Sequence, residues 1–162
     1  YFWQRKTMIQ AINLLKKNKI DFKIHKYTHD ASVTKFGLEA ACKLGLNEEL
    51  VFKTLLVELS PKELIVAIIP VNKSLCLKSL AKYFHAKNAK MANKDEAQKV
   101  SGYLLGGISP FGQKKLLRTL VDESANTHKH IYVSGGKRGL DLEIKAESLV
   151  KILKAEFASI GI

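Results

Sequence analysis

The chain has 162 residues, 46% of them apolar, which is enough for one domain with a sizeable core. Lysine and arginine total 27 against 15 acids, a net charge of +12 that favours a polyanionic partner through counterion release, or a merely soluble lysine-rich surface. The longest apolar run, LIVAIIPV at 64–71, falls far short of the roughly 20 residues a membrane span needs.

In chain order, the opening YFWQRKTM lacks the apolar run and cleavage site of a secretory signal. Met8 reads as the natural start, so the domain is expected over 8–162, with Thr7 capping a helix over 8–18. FKIHKY at 22–27 alternates like a short strand, and FGLEAACKLG at 36–45 reads as a helix stopped by Gly45. Two strong strands follow, over 50–59 and 63–70, broken by Ser60, Pro61 and Lys62. Helices are expected over 77–86 and 93–100, the second opened by an Asn93/Glu96 capping box. Residues 102–112 form a turn-rich loop. Strands over 118–122, 130–134 and 140–144 then precede a terminal helix over 146–160. The elements are interspersed without strict alternation, which predicts a single α+β domain: a mixed sheet with flanking helices.

Cys42 and Cys76 lack metal-type spacing and read as buried, reduced thiols of a cytosolic protein. His25, His29, His128 and His130 form no recognised metal set, and HKH at 128–130 reads as an exposed strand entry. There is no G-x-S-x-G elbow, and SGGKRG at 134–139 lacks the Walker spacing. A catalytic triad or a protein-bound metal is therefore not expected. Only Arg5, Arg118 and Arg138 are arginines; the other cations are lysines, point charges suited to a nucleic-acid backbone rather than to base reading.

Lys53 stands out in VFKTLLVEL, because Val51, Leu55, Val57 and Leu59 share its face while Phe52, Thr54 and Leu56 fill the other. A lysine there either snorkels from a sheet edge, finds a partner, or loses its charge. In LDLEI the apolar parity runs through Leu140, Leu142 and Ile144. Asp141 therefore points the other way and is a candidate carboxylate partner.

VFKTLLVEL, GYLLGGISPFGQKK and IYVSGGKRGLDLEI, with the opening AINLLKKNKIDFKIHKYTHD, resemble the bacterial YbaK-type Cys-tRNA(Pro) deacylases. These belong to a superfamily that includes the prolyl-tRNA synthetase editing domain, and the likeness runs from about Met8 to Ile160. The resemblance implies a mostly antiparallel mixed sheet curled partly into a barrel. It implies a trans-editing enzyme, without cofactor or metal, that removes cysteine from Cys-tRNA(Pro) and also from Cys-tRNA(Cys). Its expected partners are the 3′ end of aminoacylated tRNA and prolyl-tRNA synthetase. By resemblance, Lys53, Asp141 and Tyr27 carry catalysis. Phe36, Thr54, Gly106, Gly107, Ile108, Ser109, Ser134, Gly135, Gly136, Lys137 and Arg138 hold the substrate. Amides of the Gly106–Gly107 loop are expected to stabilise the oxyanion. The implied route is attack of the substrate's own thiol on its ester carbonyl. Alternatives are an Ala-tRNA(Pro) deacylase that uses water, and a non-catalytic RNA-binding module.

Overall fold

The structure, a computed structural model, describes residues 2–162, with side chains from Gln10 onward. The first helix, α1, runs Phe2–Lys17, so Thr7 lies within it and not at its start, where a cap was expected. Strand β1 (Phe22–Lys26) follows, and helix α2 (Phe36–Leu44) ends where Gly45 turns left-handed at φ 66°, as its glycine stop predicts. Strands β2 (Phe52–Leu59) and β3 (Glu63–Pro70) form a long antiparallel hairpin. Next come α3 (Leu77–Tyr83), a short strand β4 (Ala89–Met91) and α4 (Lys94–Ser101). The Asn93 side chain caps α4 by accepting from the amides of Asp95 and Glu96. Strands β5 (Thr119–Asp122), β6 (His130–Ser134) and β7 (Leu140–Lys145) lead into α5 (Ala146–Leu153) and a last strand, β8 (Glu156–Ala158).

Two sheets result where one curled sheet was expected. The smaller has the order β1-β7-β6 and is antiparallel throughout; the larger has the order β4-β2-β3-β5-β8, with β5 parallel to both of its neighbours. They touch through one parallel bridge, Val51 to Tyr132, and pairing among the described residues does not close them into a barrel. The terminal helix is also shorter than expected. Lys154 adopts a left-handed conformation at φ 53°, and the 156–158 segment leaves the helix to pair with β5.

The larger sheet is covered on both faces, which is why β2 and β3 read as nearly continuous apolar runs. On one face Phe52, Leu56, Val66 and Ile68 pack with Leu142, Ile144 and Leu149; on the other Val57, Leu59, Ile65 and Ile69 meet Leu80 and Ile160. A third cluster joins Ala40 and Ala41 of α2 to Val51 and Val71, with Tyr27 against its flank. Asp122, 2% exposed, accepts from the amides of Ile160 and Gly161 and so fastens the last residues to β5. Among the described residues, no helix is long and apolar enough to cross a membrane.

Candidate active site

A cavity of about 570 Å³ opens where the two sheets part. On its second side β2 pairs with β4 only over Val57–Leu59, and beyond the Val51–Tyr132 bridge it separates from β6. Lys53 and Thr54 occupy that unpaired stretch, so a lysine in an apolar strand reaches the cavity instead of the core. Lys53 is half-buried, and burial lowers its pKa from the ordinary lysine value. Its snorkelling from a sheet edge is thus what the structure shows, with the edge lying inside the molecule.

Asp141 faces the same cavity from β7. Leu140, Leu142 and Ile144 are fully buried on the opposite side of that strand, as their parity predicts. Asp141 is 5% exposed, and burial pushes its carboxyl up to about 7. Among the described residues no hydrogen bond or ion pair reaches its carboxylate, so Lys53 and Asp141 share the cavity without touching. Tyr27 follows β1 and is anchored by its amide to the Gly139 carbonyl at 3.0 Å. Burial, reinforced by the Asp141 charge, pushes its hydroxyl up to about 12. The Thr54 hydroxyl is buried and has no hydrogen-bond partner. Phe36, Gly106, Ile108 and Ser134 complete the expected residues that line this space.

The rest of the expected set lies elsewhere. Gly107, Gly136, Lys137 and Arg138 line a separate cavity of about 310 Å³ behind the 104–107 loop. Ser109 is fully buried, and its hydroxyl accepts from the Phe111 amide at 3.2 Å. Gly135 packs on Leu140 and Leu142. The Arg138 guanidinium donates from Nε and Nη2 to the Leu105 carbonyl, at 3.1 and 2.7 Å, and lies 4.1 Å from the centre of the Phe36 ring. Of the expected oxyanion donors, the Gly107 amide is occupied by the Leu104 carbonyl at 3.0 Å, leaving that of Gly106. The glycines serve close contact between the loop and the β6–β7 turn. A methyl group on Gly107 would sit 2.7 Å from the Lys137 Cα, and one on Gly106, at φ +85°, would strike Phe36.

Sequence reasoning missed a buried acid behind the cavity wall. Glu39, 6% exposed, takes the His29 ring at 2.6 Å on one oxygen; its other oxygen takes the Asp30 amide at 2.8 Å and Lys43 at 3.3 Å. Burial alone would raise its pKa, but those donors outweigh burial and hold the carboxyl below the usual range. The network ties the 28–35 segment to α2, and His29 rests 5.7 Å from the Phe36 ring. Its signal in the sequence was an acid beside Ala40 and Ala41 on a helix's buried face. Lys35 and Lys73, which line the cavity, were hidden among 24 lysines.

Neither cysteine lines the cavity. Cys42 is exposed and Cys76 partly exposed, which corrects their reading as buried thiols: each sits on a helix's outer side or its entry. Among the described residues no group of histidine, cysteine or carboxylate side chains is placed to hold a metal ion.

Residues 32–152 match the family described as the aminoacyl-tRNA editing domain. The chain belongs to that family. It is 32% identical, over 97% of its length and 94% of the relative's, to EbsC of Enterococcus faecalis, provisionally named a Cys-tRNA(Pro)/Cys-tRNA(Cys) deacylase. Its fold is also that of the hypothetical protein APE2540 (TM-score 0.86, 24% identity, 94% of this chain and 99% of that one). A second match is a crystal structure assigned provisionally as a trans-editing enzyme for prolyl-tRNA synthetase (TM-score 0.84, 18% identity, 96% and 97%). The editing-domain family gives aminoacyl-tRNA as the class of molecule this protein acts on.

Proposed function

We propose that the protein is a trans-editing deacylase that removes cysteine from Cys-tRNA(Pro), and also from Cys-tRNA(Cys), using the substrate's thiol as nucleophile. The observation that carries this reading is the content of the cavity. Its lining holds the half-buried Lys53, the buried and unpaired carboxylate of Asp141 and the unpartnered hydroxyl of Thr54, with Lys35 and Lys73 as further cations, and neither a cysteine nor a histidine lines it. A site without a base-activated nucleophile suits a substrate that brings its own.

Asp141 is a carboxylate in need of a cation, since a buried unpaired charge is costly. The α-ammonium of an aminoacyl group satisfies it and orients the ester. Lys53 lies across the cavity as a weakened ammonium. A thiol with an ordinary pKa of about 8.5 gains thiolate beside it. The sulfur then bonds to the ester carbonyl carbon, and the bond from that carbon to the ribose oxygen breaks. The departing oxygen takes up the proton the thiol lost, and a cyclic thioester leaves. The Gly106 amide and the Thr54 hydroxyl are the donors available to the carbonyl oxygen as charge develops. The ester is already activated, so positioning and charge stabilisation do most of the work.

A synthetase pocket separates small side chains of similar volume by only about 1–3 kcal/mol, so a second site must clear the mistake. Prolyl-tRNA synthetase is accordingly the partner beside which this enzyme acts, in the cytoplasm.

The test compares deacylation of Cys-tRNA(Pro), Ala-tRNA(Pro) and Ser-tRNA by the purified protein, with K53A alongside. Cysteine-selective loss that vanishes in K53A supports the proposal. Alanine-selective loss moves the protein to a water-using branch, and RNA binding without loss of any ester leaves a binding module.

A further inference from the structure

We propose that the cavity behind Leu104 and Leu105 seats the nucleotide next to the terminal one at a single-stranded RNA 3′ end. This deepens the reading above and rests on it for the identity of the first cavity's occupant.

The second cavity, about 310 Å³, lies at the lower end of the range for small-ligand sites, so it suits one base and not a duplex. Its lining contains Lys94, Lys137 and Arg138 and no acidic side chain. The Arg138 guanidinium is engaged by Leu105 and Phe36, which leaves Lys94 and Lys137 as the cations facing a ligand. Beside them, Leu104 and Leu105 are 42% and 37% exposed, two adjacent apolar side chains on a surface otherwise rich in lysine.

That pair is held rigidly. The Leu105 amide donates to Gln98 Oε1 at 2.8 Å, its carbonyl accepts from Arg138, and the Leu104 carbonyl accepts from the Gly107 amide. An apolar ridge fixed from both sides has already met the entropic cost of ordering before a ligand arrives. Leu105 lines both cavities, so the ridge is their common wall. A strand whose terminal ribose carries the ester in the first cavity crosses that wall within one nucleotide. The preceding base then rests on Leu104 and Leu105, and its phosphate meets Lys94 and Lys137. Lysines without a free arginine hold a backbone and read no bases.

The experiment compares two esters, cysteinyl-adenosine and a cysteinyl-CCA trinucleotide, with wild-type protein and with K94A/K137A. In wild type the two added nucleotides raise kcat/KM by about tenfold or more, and the gain falls steeply with salt. In the double variant the gain collapses, and the salt slope drops by about 0.7, the loss expected for one phosphate contact on a single strand. No gain in wild type, or a gain that survives in the variant, overturns the proposal and leaves the cavity to a protein partner. If neither ester is cleaved, the proposed activity fails on its own. Binding of uncharged CCA, read by fluorescence anisotropy, then decides: weakening in K94A/K137A supports the second site, and equal or absent binding overturns it.

Discussion

The Arg138 guanidinium sits over the Phe36 ring, 4.1 Å from its centre, while two of its forked donors, Nε and Nη2, close on the Leu105 carbonyl. One exposed side chain thereby joins the β6–β7 turn, the start of α2 and the 104–107 loop, three segments of the cavity wall. Lysine keeps the charge but loses the fork and most of the stacking. R138K is expected to lose about 1–2 kcal/mol of stability and to raise KM for the aminoacyl ester. Chemical denaturation and steady-state kinetics on one preparation check both.

Asp141 makes stability depend on pH in an unusual direction for a carboxylate. Its pKa is raised in the folded state, to about 7 from 3.8, so the native protein holds a proton that the unfolded chain releases. Its contribution is fully present below pH 3.8 and is lost as pH rises through 7. D141N should therefore be more stable than wild type at pH 8 by a few kcal/mol, with the difference shrinking toward pH 4. Thermal melts at the two pH values test this, and an equal offset at both would show that burial of the charge is not the cause. Deacylation by D141N should be severely reduced over the whole range.

K53A separates stability from activity in the same way. The half-buried ammonium is disfavoured by its surroundings, so its removal is expected to leave the melting temperature unchanged or raised. The rate should fall by about a hundredfold or more, as for loss of a charge aimed at a reacting group. A near-normal rate with a normal fold would remove Lys53 from the chemistry.

The Thr54 hydroxyl is buried without a partner, so T54V should cost no stability and can add a little. Its loss should show only with substrate present, as a reduction in kcat/KM of about tenfold, the scale of one ordinary hydrogen bond.

G107A probes the contact between loop and turn. Its new methyl would meet the Lys137 backbone at 2.7 Å, and backbone has no rotamer with which to retreat. A destabilisation of about 1–3 kcal/mol is expected, with weaker ester binding. A serine at the same position, larger still, should do worse.

Much of this was legible because local and global signals agree. The β2–β3 hairpin, the Gly45 stop, the Asn93 cap and the inward parity of Leu140, Leu142 and Ile144 each follow from residues a few positions apart. Strand β8 was not legible: AESLVKILKAEFASI keeps helical spacing to its end, and only the free edge of β5 draws residues 156–158 away. Strand β4 has three residues, too few to show any period. At the site, Lys53 and Asp141 announced themselves as charges in apolar strands. The Glu39 network did not, because its partners come from a loop whose course no periodicity records. Lys94 and Leu104 acquire meaning only from the cavity between them.

The separation of β1 from β7 in the chain sets when this site comes into being. His25 lies opposite Asp141, and Tyr27 bonds Gly139, across more than a hundred residues of intervening chain. Contacts of that range close late, because the loop entropy is lost before any packing rewards it. The β2–β3 hairpin, by contrast, needs only a three-residue turn, so Lys53 and Thr54 are in place while the carboxylate that faces them is still elsewhere. A partly folded molecule would then carry half of the proposed site and is expected to be silent toward aminoacyl-tRNA. In a refolding time course, ester cleavage should appear with the last phase that burial reports, never ahead of it.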